Sequence, residues 1–390
     1  MEKHVYIIGS KGIPAKYGGF ETFVDKLTRY QTPDLVHYHI ACMSENSAKS
    51  GITDRKFRYN NAECFNINVP SIGPARAILY DILALKRAIT ISKRNKDYQP
   101  IFYVLACRIG PFIGNMKKEI KKIGGKLYVN PDGNEWKRAK WSYPVRKYWK
   151  QSERLMVKHS DLLICDSKNI EIYIKKEYVQ YQPKTIFIAY GADFESSKLT
   201  RRDSVVSEWF EKWEIIENEY YLLVGRFVPE NNYEAIINSF KVSSSKKDLV
   251  IVTNVEKNNF FNSLKKQTHF DEDSKIKFVG TVYDQKLLTY IRENTFAYIH
   301  GHEVGGTNPS LLEALSATEL NLLLDVGFNR EVAEEGALYW EKNNLVNCIE
   351  QAESLEDKDK HELAQYASKR MADLYSWSEI VGKYEELFRR

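Results

Sequence analysis

Gly305, Gly306, Thr307, Asn308, Pro309 and Ser310 stand between an apolar run, 296–299, and a second apolar-periodic run, 311–320. The order reads as strand, glycine-rich turn, helix. Asn308 is a good N-cap, and Pro309 suits the first helical position. A helix begun this way leaves unpaired N–H groups at Ser310 and Leu311, with the positive end of its dipole behind them. That arrangement holds anions, and a nucleotide diphosphate fits it. Glu313 falls about one turn further in, where its carboxylate can accept hydrogen bonds from a ribose diol. Taken alone, the same residues also describe an ordinary capped helix with a glutamate at its buried edge.

Other residues of chemical interest follow strand-like runs. Arg226 comes directly after 220–224 and Gly225. Its planar fork can clamp a diphosphate, although a surface salt bridge is the simpler account of one arginine. Gly9 ends the first apolar run and opens a glycine-rich loop that reaches Gly18 and Gly19 just before a helical pattern at 20–27. The spacing is not GxGxxG, so a nicotinamide-type site is not expected. Asp132 follows 127–129 in a loop rich in Trp and Lys. It reads either as a polar group near a reacting centre or as an Asp-Gly turn with Gly133.

These positions need a scaffold that sets strand ends side by side. Short apolar runs alternate with amphipathic segments throughout: 5–8, 36–41, 64–69, 101–105, 127–129, 162–165 and 185–188, then 220–224, 249–253, 276–279, 296–299 and 322–324. Such alternation predicts an α/β protein with parallel sheets covered by helices on both faces. At 390 residues the chain exceeds one ordinary core. The polar stretch 196–218, with a short helix at 206–213, reads as a linker between domains 1–195 and 219–374. Ligands are expected at the carboxyl ends of the strands, in the cleft between two doubly wound sheets.

The residues together resemble the retaining glycosyltransferases of family 4, which have the GT-B fold of two Rossmann-like domains facing a cleft. The resemblance rests on Gly225-Arg226, the glycine-rich loop with Glu313, and the segment 323–332. The N-terminal Gly-Ile-Pro-x-x-Tyr-Gly-Gly-Phe-Glu and the stretch 130–141 look like a bacterial branch containing rhamnosyltransferases of cell-wall and capsular polysaccharide assembly. The resemblance runs through Trp377-Ser378-Glu379 and implies a last helix, 375–390, that crosses back to the first domain.

It also implies roles. Arg226, Glu313 and Asp132 would be the catalytic residues. Gly18, Gly19, Arg226, Asn231, Tyr283, Gly305, Gly306, Thr307, Asn308, Ser310 and Glu313 would hold the nucleotide-sugar, with Tyr283 stacking near the base. Trp136, Arg138 and Lys140 would meet the acceptor. The implied donor is dTDP-β-L-rhamnose and the acceptor a lipid-diphosphate-linked saccharide, with no metal and no bound cofactor. A sugar-nucleotide 2-epimerase, a UDP-sugar-dependent transferase and a non-catalytic nucleotide-sugar-binding protein share the same features. Two departures stand out. The first Glu of the family's Glu-x7-Glu motif is replaced by Gly305, with Glu303 nearby, so that Glu303 or backbone N–H groups would take its place. The lysine that often follows the arginine is replaced by Asn231 and Asn232.

The bulk composition narrows the field. Hydrophobic residues make up 43% and charged residues 28%, which are globular values. A net charge of +5 permits anionic ligands without implying nucleic acid. From 115 to 160 there are 13 Lys and Arg against 4 Asp and Glu, interleaved with Trp136, Trp141, Tyr143, Tyr148 and Trp149. That composition suits the inner leaflet of an anionic membrane, or simply a solvated helix face. No recognised nucleic-acid module accompanies it. Five scattered cysteines without CxxC spacing predict reduced thiols, no disulfide and no zinc. The pairs His37/His39 and His300/His302 lack a third ligand, and 271–273 reads as a solvated acidic loop. With no leader-like start and no long apolar run, the expected location is cytoplasmic, peripheral to the membrane if the basic patch meets lipid.

Overall fold

The computed structural model describes residues 3–16, 18–138, 141–304 and 306–390. The chain forms two compact units: Met1–Gly191 with Trp377–Arg390, and Ala192–Ser376. In the first, the strands are β1 (His4–Ile8), β2 (His37–Met43), β3 (Lys56–Tyr59), β4 (Ala62–Ile67), β5 (Ile101–Leu105), β6 (Lys126–Asn130), β7 (Leu162–Cys165) and β8 (Thr185–Phe187). Their order is β3-β4-β2-β1-β5-β6-β7-β8. All neighbours are parallel except β3 and β4. Every residue of β5 is buried, as expected of a strand covered on both faces.

The second unit holds β9 (Tyr220–Val224), β10 (Asp248–Val252), β11 (Ile276–Gly280), β12 (Ala297–His300), β13 (Asn321–Leu324) and β14 (Leu338–Trp340). This sheet is parallel throughout, in the order β11-β10-β9-β12-β13-β14. In each sheet the chain starts at a central strand and moves first one way, then the other. The order therefore reverses between β1 and β5 in one unit and between β9 and β12 in the other. At such a reversal the loops leaving two adjacent strands diverge and open a crevice at the carboxyl ends.

Two strands escaped the sequence reading. β3 alternates exposed Lys56 and Arg58 with half-buried Phe57 and Tyr59, and pairs antiparallel to β4 across Asn60, whose φ is 48°. An edge strand this charged carries little apolar signal. β14 is a three-residue edge strand. The stretch 196–218, expected as a linker, contributes the helix Ser204–Lys212 to the second unit, with Val206 and Phe210 fully buried against Ile215 and Tyr220.

The final helix, Trp377–Arg389, belongs to the first unit although it is made last. Its Phe388 is wholly buried, with ring centroids of Tyr38, Tyr103 and Tyr128 at 6.0 to 6.4 Å. Glu385 accepts from Thr32 N at 2.6 Å and from Thr32 Oγ1 at 2.9 Å. Tyr384 and Tyr103 hydroxyls meet at 3.1 Å. Phe388→Ala is expected to destabilise the first unit by about 3–5 kcal/mol, the usual cost of deleting a buried ring. Urea unfolding followed by tyrosine and tryptophan fluorescence would measure it, and an unchanged midpoint would contradict the packing described.

Candidate functional site

In the second unit the site is built where β9 and β12 end. β9 gives out at Val224 and the chain turns through Gly225 and Arg226 into a tight loop. Asn231 holds that loop shut: its Nδ2 donates to Arg226 O at 2.6 Å, and its Oδ1 faces His302 Nδ1 at 2.8 Å. Tyr233 OH donates to the same Arg226 carbonyl at 3.0 Å. Asn232 Nδ2 donates to Gly301 O at 2.8 Å, which ties the loop to the residue after β12. The two loops lie so close that a Cβ on Gly301 would stand 2.4 Å from Asn231 O, and no side chain fits there. Asn231 thus positions the loop from within, with both ends of its buried amide engaged by the protein.

With its backbone fixed in this way, the Arg226 side chain is exposed, and among the described residues it has no ion pair. The other cation of the crevice is arranged differently. Arg292, on the helix Gln285–Glu293, has a side chain only 3% exposed, and its Nη2 lies 2.6 Å from Glu313 Oε2. The sequence reading missed Arg292. Its signal was a cation beside Leu288 and Ile291 in a helix whose apolar face is core.

The helix Pro309–Ala317 starts as expected, with Asn308 as N-cap and Pro309 at its first position. The expected free N–H groups are corrected by the geometry. Ser310 N donates to Asn308 Oδ1 at 3.0 Å, and Leu311 N donates to Asn308 O at 3.0 Å. A capping residue as good as asparagine uses the donors that an anion would have used. What remains for an anion at this helix start is the dipole. Ser310 instead turns its hydroxyl to Val224 O at 3.2 Å, joining the helix start to the end of β9.

Glu303 is compensated where it stands, by Lys342 Nζ at 2.5 Å and Asn232 Nδ2 at 3.2 Å. Asn329, wholly buried, donates to His302 O at 3.2 Å and Leu324 O at 2.9 Å, so the segment after β13 also braces the crevice. Tyr283 is 76% exposed beyond β11, the edge strand two places from β9 and so roughly 10 Å away along the sheet. Arg226, Gly306, Thr307, Asn308, Ser310 and Glu313 are brought to one crevice. Gly305 and Lys140 lie outside the described residues.

In the first unit, the segment 9–16 that follows β1 is strapped to the helix Gly19–Arg29. Glu21 accepts from Lys11 N at 2.7 Å and Asp25 from Ala15 N at 2.9 Å. Gly18 takes φ 125°, and a Cβ there would lie 1.9 Å from Glu21 Oε2. Arg108, also missed in the sequence, donates to Gly9 O at 2.8 Å and to Asp81 Oδ2 at 3.0 Å, so it bridges the ends of β1 and β5. Burial pushes the Asp81 carboxyl up while Arg108 opposes the shift.

Asp132 adopts φ 59°; its N–H donates to Asn130 Oδ1 and its Oδ1 accepts from Gly133 N, both at 2.8 Å. That is the Asp-Gly turn. The expected acceptor contacts have internal partners. Trp136 Nε1 donates to Tyr173 OH at 3.2 Å, and Lys150 Nζ sits 4.5 Å from the Trp136 ring centroid. Arg138 Nε lies 2.5 Å from Glu135 Oε2. Both side chains brace the loop that carries Asp132.

Residues 205–370 match the family described as "Glycosyl transferases group 1", and residues 2–193 match "Domain of unknown function (DUF1972)". No curated protein matches the chain. Among solved structures, sucrose-phosphate synthase from Thermosynechococcus elongatus is similar at TM-score 0.76 and 14% identity, covering 100% of this chain and 98% of that one. HepE of Anabaena, in complex with UDP, is similar at TM-score 0.71 and 14% identity, with 99% of each chain covered. A glycosyltransferase from Rickettsia africae ESF-5 gives TM-score 0.73 and 16% identity, covering 99% of this chain and 97% of that one. The fold is therefore GT-B.

His300, at the end of β12, is wholly buried and pushed down to about 3 by burial, with His302 adding to the effect. His39 on β2 is pushed down to about 4 by burial against the pull of Glu63. Both rings are neutral in the fold but take up a proton near pH 6.5 once unfolded. The unfolded chain then binds more protons, so stability is full above that pH and falls as pH drops toward 4 and then 3. Each histidine contributes a slope of up to about 1.4 kcal/mol per pH unit. Urea unfolding between pH 7 and 4.5 should show this loss, and His300→Gln should flatten it by one group's share.

Proposed function

We propose that the chain is a retaining glycosyltransferase using a nucleotide-activated sugar, a reading that starts from the match of residues 205–370 to the glycosyl transferases group 1 family. The observation that carries the reading is the pairing, at the β9/β12 crevice, of an exposed arginine on a braced loop with a capped helix bearing Glu313. Arg226 and the helix dipole offset the charge that gathers on the departing diphosphate, and Glu313 meets the nucleotide's sugar. Stabilising a leaving group as its charge grows is among the largest contributions an enzyme site makes. The acceptor oxygen bonds to the anomeric carbon on the face that the diphosphate leaves, and its proton passes to the departing phosphate. HepE's complex with UDP supports a nucleoside diphosphate as the leaving group.

The finer assignment is dTDP-β-L-rhamnose as donor and a lipid-diphosphate-linked saccharide as acceptor, by a mechanism that uses no metal. Its support is the N-terminal motif and the 130–141 segment, with Gly18, Gly19 and Asp132 on the acceptor's unit. Membrane attachment is part of the proposal. The helix Gly110–Lys122 exposes Phe112, at 47%, and carries exposed Lys118, Lys121 and Lys122, while the helix Tyr143–His159 exposes Tyr143, at 70%, with Lys147 Nζ 5.1 Å from its ring centroid. No described helix is long and apolar enough to cross a membrane.

Arg226→Ala is expected to lower turnover by about 10²–10³ with the fold intact, and Glu313→Gln by a similar factor in a protein also destabilised by loss of the buried Arg292's counter-charge. Near-normal turnover in both would sink the site. Incubation with donor alone separates transfer from epimerisation. At a hundred times its dissociation constant, dTDP should stabilise the chain by ~2.7 kcal/mol in thermal melts. Selective stabilisation by UDP would redirect the donor to a UDP-sugar. Co-sedimentation with anionic but not neutral vesicles, lost at high salt, checks the basic face.

A further inference from the structure

The first unit holds a cavity that the chemistry proposed above does not use. Its volume is about 330 Å³, and its lining includes His39, Lys56, Arg58, Glu63, Phe65 and Ile91. It lies at the β3 edge of the sheet, where β4 and β2 separate it from β1 and so from the β1/β5 reversal. Cross-strand register explains the lining. Lys56 stands opposite Phe65, Arg58 opposite Glu63, and Glu63 opposite His39. Side chains alternate along a strand, so these five share one face of the sheet. The helix Arg76–Asn95 packs against β1, β2 and β4 and supplies Ile91. β3 is one strand further out, and the cavity opens in the step between them.

The floor is apolar and the walls are cationic. Phe65 belongs to the first unit's core, and Ile91 packs against that core. His39 is buried beside them. Lys56 is exposed, and its ammonium has no partner among the described residues. Arg58 has one, Glu63 Oε1 at 3.8 Å, and so exposed a pair at that distance holds little. Glu63, the one carboxylate of the lining, also lies 3.3 Å from His39 Nδ1. Arg87 and Arg94 fall one turn to either side of Ile91 on the same helix face. Both are exposed, with no side-chain partner among the described residues.

We propose that this cavity binds a small organic phosphate, an apolar ring bearing a phosphate monoester. The ring covers Phe65 and Ile91, and the phosphate meets Lys56 and Arg58. Residues two apart on a strand are separated by about 7 Å, a span that two long side chains can close onto one dianion. A carboxylate would bring half the charge to the same pair. Ligand pockets run from about 300 to 1,000 Å³, so a cavity at the lower end sets the ligand at one ring and its phosphate.

The probe is phenyl phosphate, titrated calorimetrically into the full chain and into Arg226→Ala, with phenol and inorganic phosphate as its two halves. Phenyl phosphate should bind both proteins equally, with a Kd about tenfold or more below that of either half. The double variant Lys56→Ala/Arg58→Ala should bind it about tenfold more weakly, as expected when hydrogen bonds between charged partners are lost. Its transferase turnover should match the parent's. Undiminished binding in the double variant overturns the proposal, as does the absence of binding to the parent at millimolar concentration. A loss of binding in Arg226→Ala also overturns it, because the ligand then sits in the donor crevice. Inorganic phosphate binding as tightly as phenyl phosphate refutes the role of the apolar floor, and phenol binding as tightly refutes that of the cations. Ile91→Trp fills the cavity and should abolish binding. If that variant does not fold, the double variant on the exposed strand still decides.

Discussion

The amide of Asn231 is the interaction on which the second unit's crevice depends. One side chain joins the turn after β9 to the loop after β12, through Arg226 O and His302. The two loops belong to strands that are neighbours in the sheet but far apart in sequence, and nothing in their local propensities would hold them at one spacing. Asn232 and Asn329 add further amide-to-carbonyl links on either side. The crevice is thus bound by neutral hydrogen bonds that keep their strength in salt, which leaves the exposed Arg226 guanidinium free to face a ligand.

The two arginines of this crevice show the division. Arg226 has its backbone anchored and its guanidinium in solvent; Arg292 is buried and has its charge spent on Glu313. An exposed cation can gain by meeting a dianion, whereas a buried, paired one has little left to offer and instead fixes its partner's orientation. Gly305 stands where the family that the sequence resembles carries its first glutamate, and Glu303, close by in sequence, is engaged with Lys342 and Asn232. The anionic part of the crevice is consequently reduced to the Glu313 carboxylate, itself ion-paired with Arg292.

Much of this was legible in the sequence because it is local. The alternation of apolar runs gave two parallel sheets, and the ends of β9 and β12 fell at the expected motifs because strand, turn and cap signals are written within a few residues. The cap at Asn308 was also legible, but its consequence was not: the donors at Ser310 and Leu311 are used by the cap itself. Side-chain partners across elements stayed hidden. Arg292 with Glu313, Arg108 with Asp81, and Trp136 with Tyr173 and Lys150 each join different segments, and no periodicity marks such a pair. Charged edge strands such as β3 were missed because they carry little apolar signal.

The return of the helix Trp377–Arg389 to the first unit sets an order of events during synthesis. By the time β8 leaves the ribosome, all eight strands of that sheet exist, yet Tyr38, Tyr103 and Tyr128 still lack Phe388 and Tyr384. The whole second unit must be translated before that apolar face is covered, which at ordinary elongation rates takes about ten seconds or more. For that interval the nascent first unit is a sheet with one side unfinished, and a binding site for any chaperone that samples exposed aromatic surface.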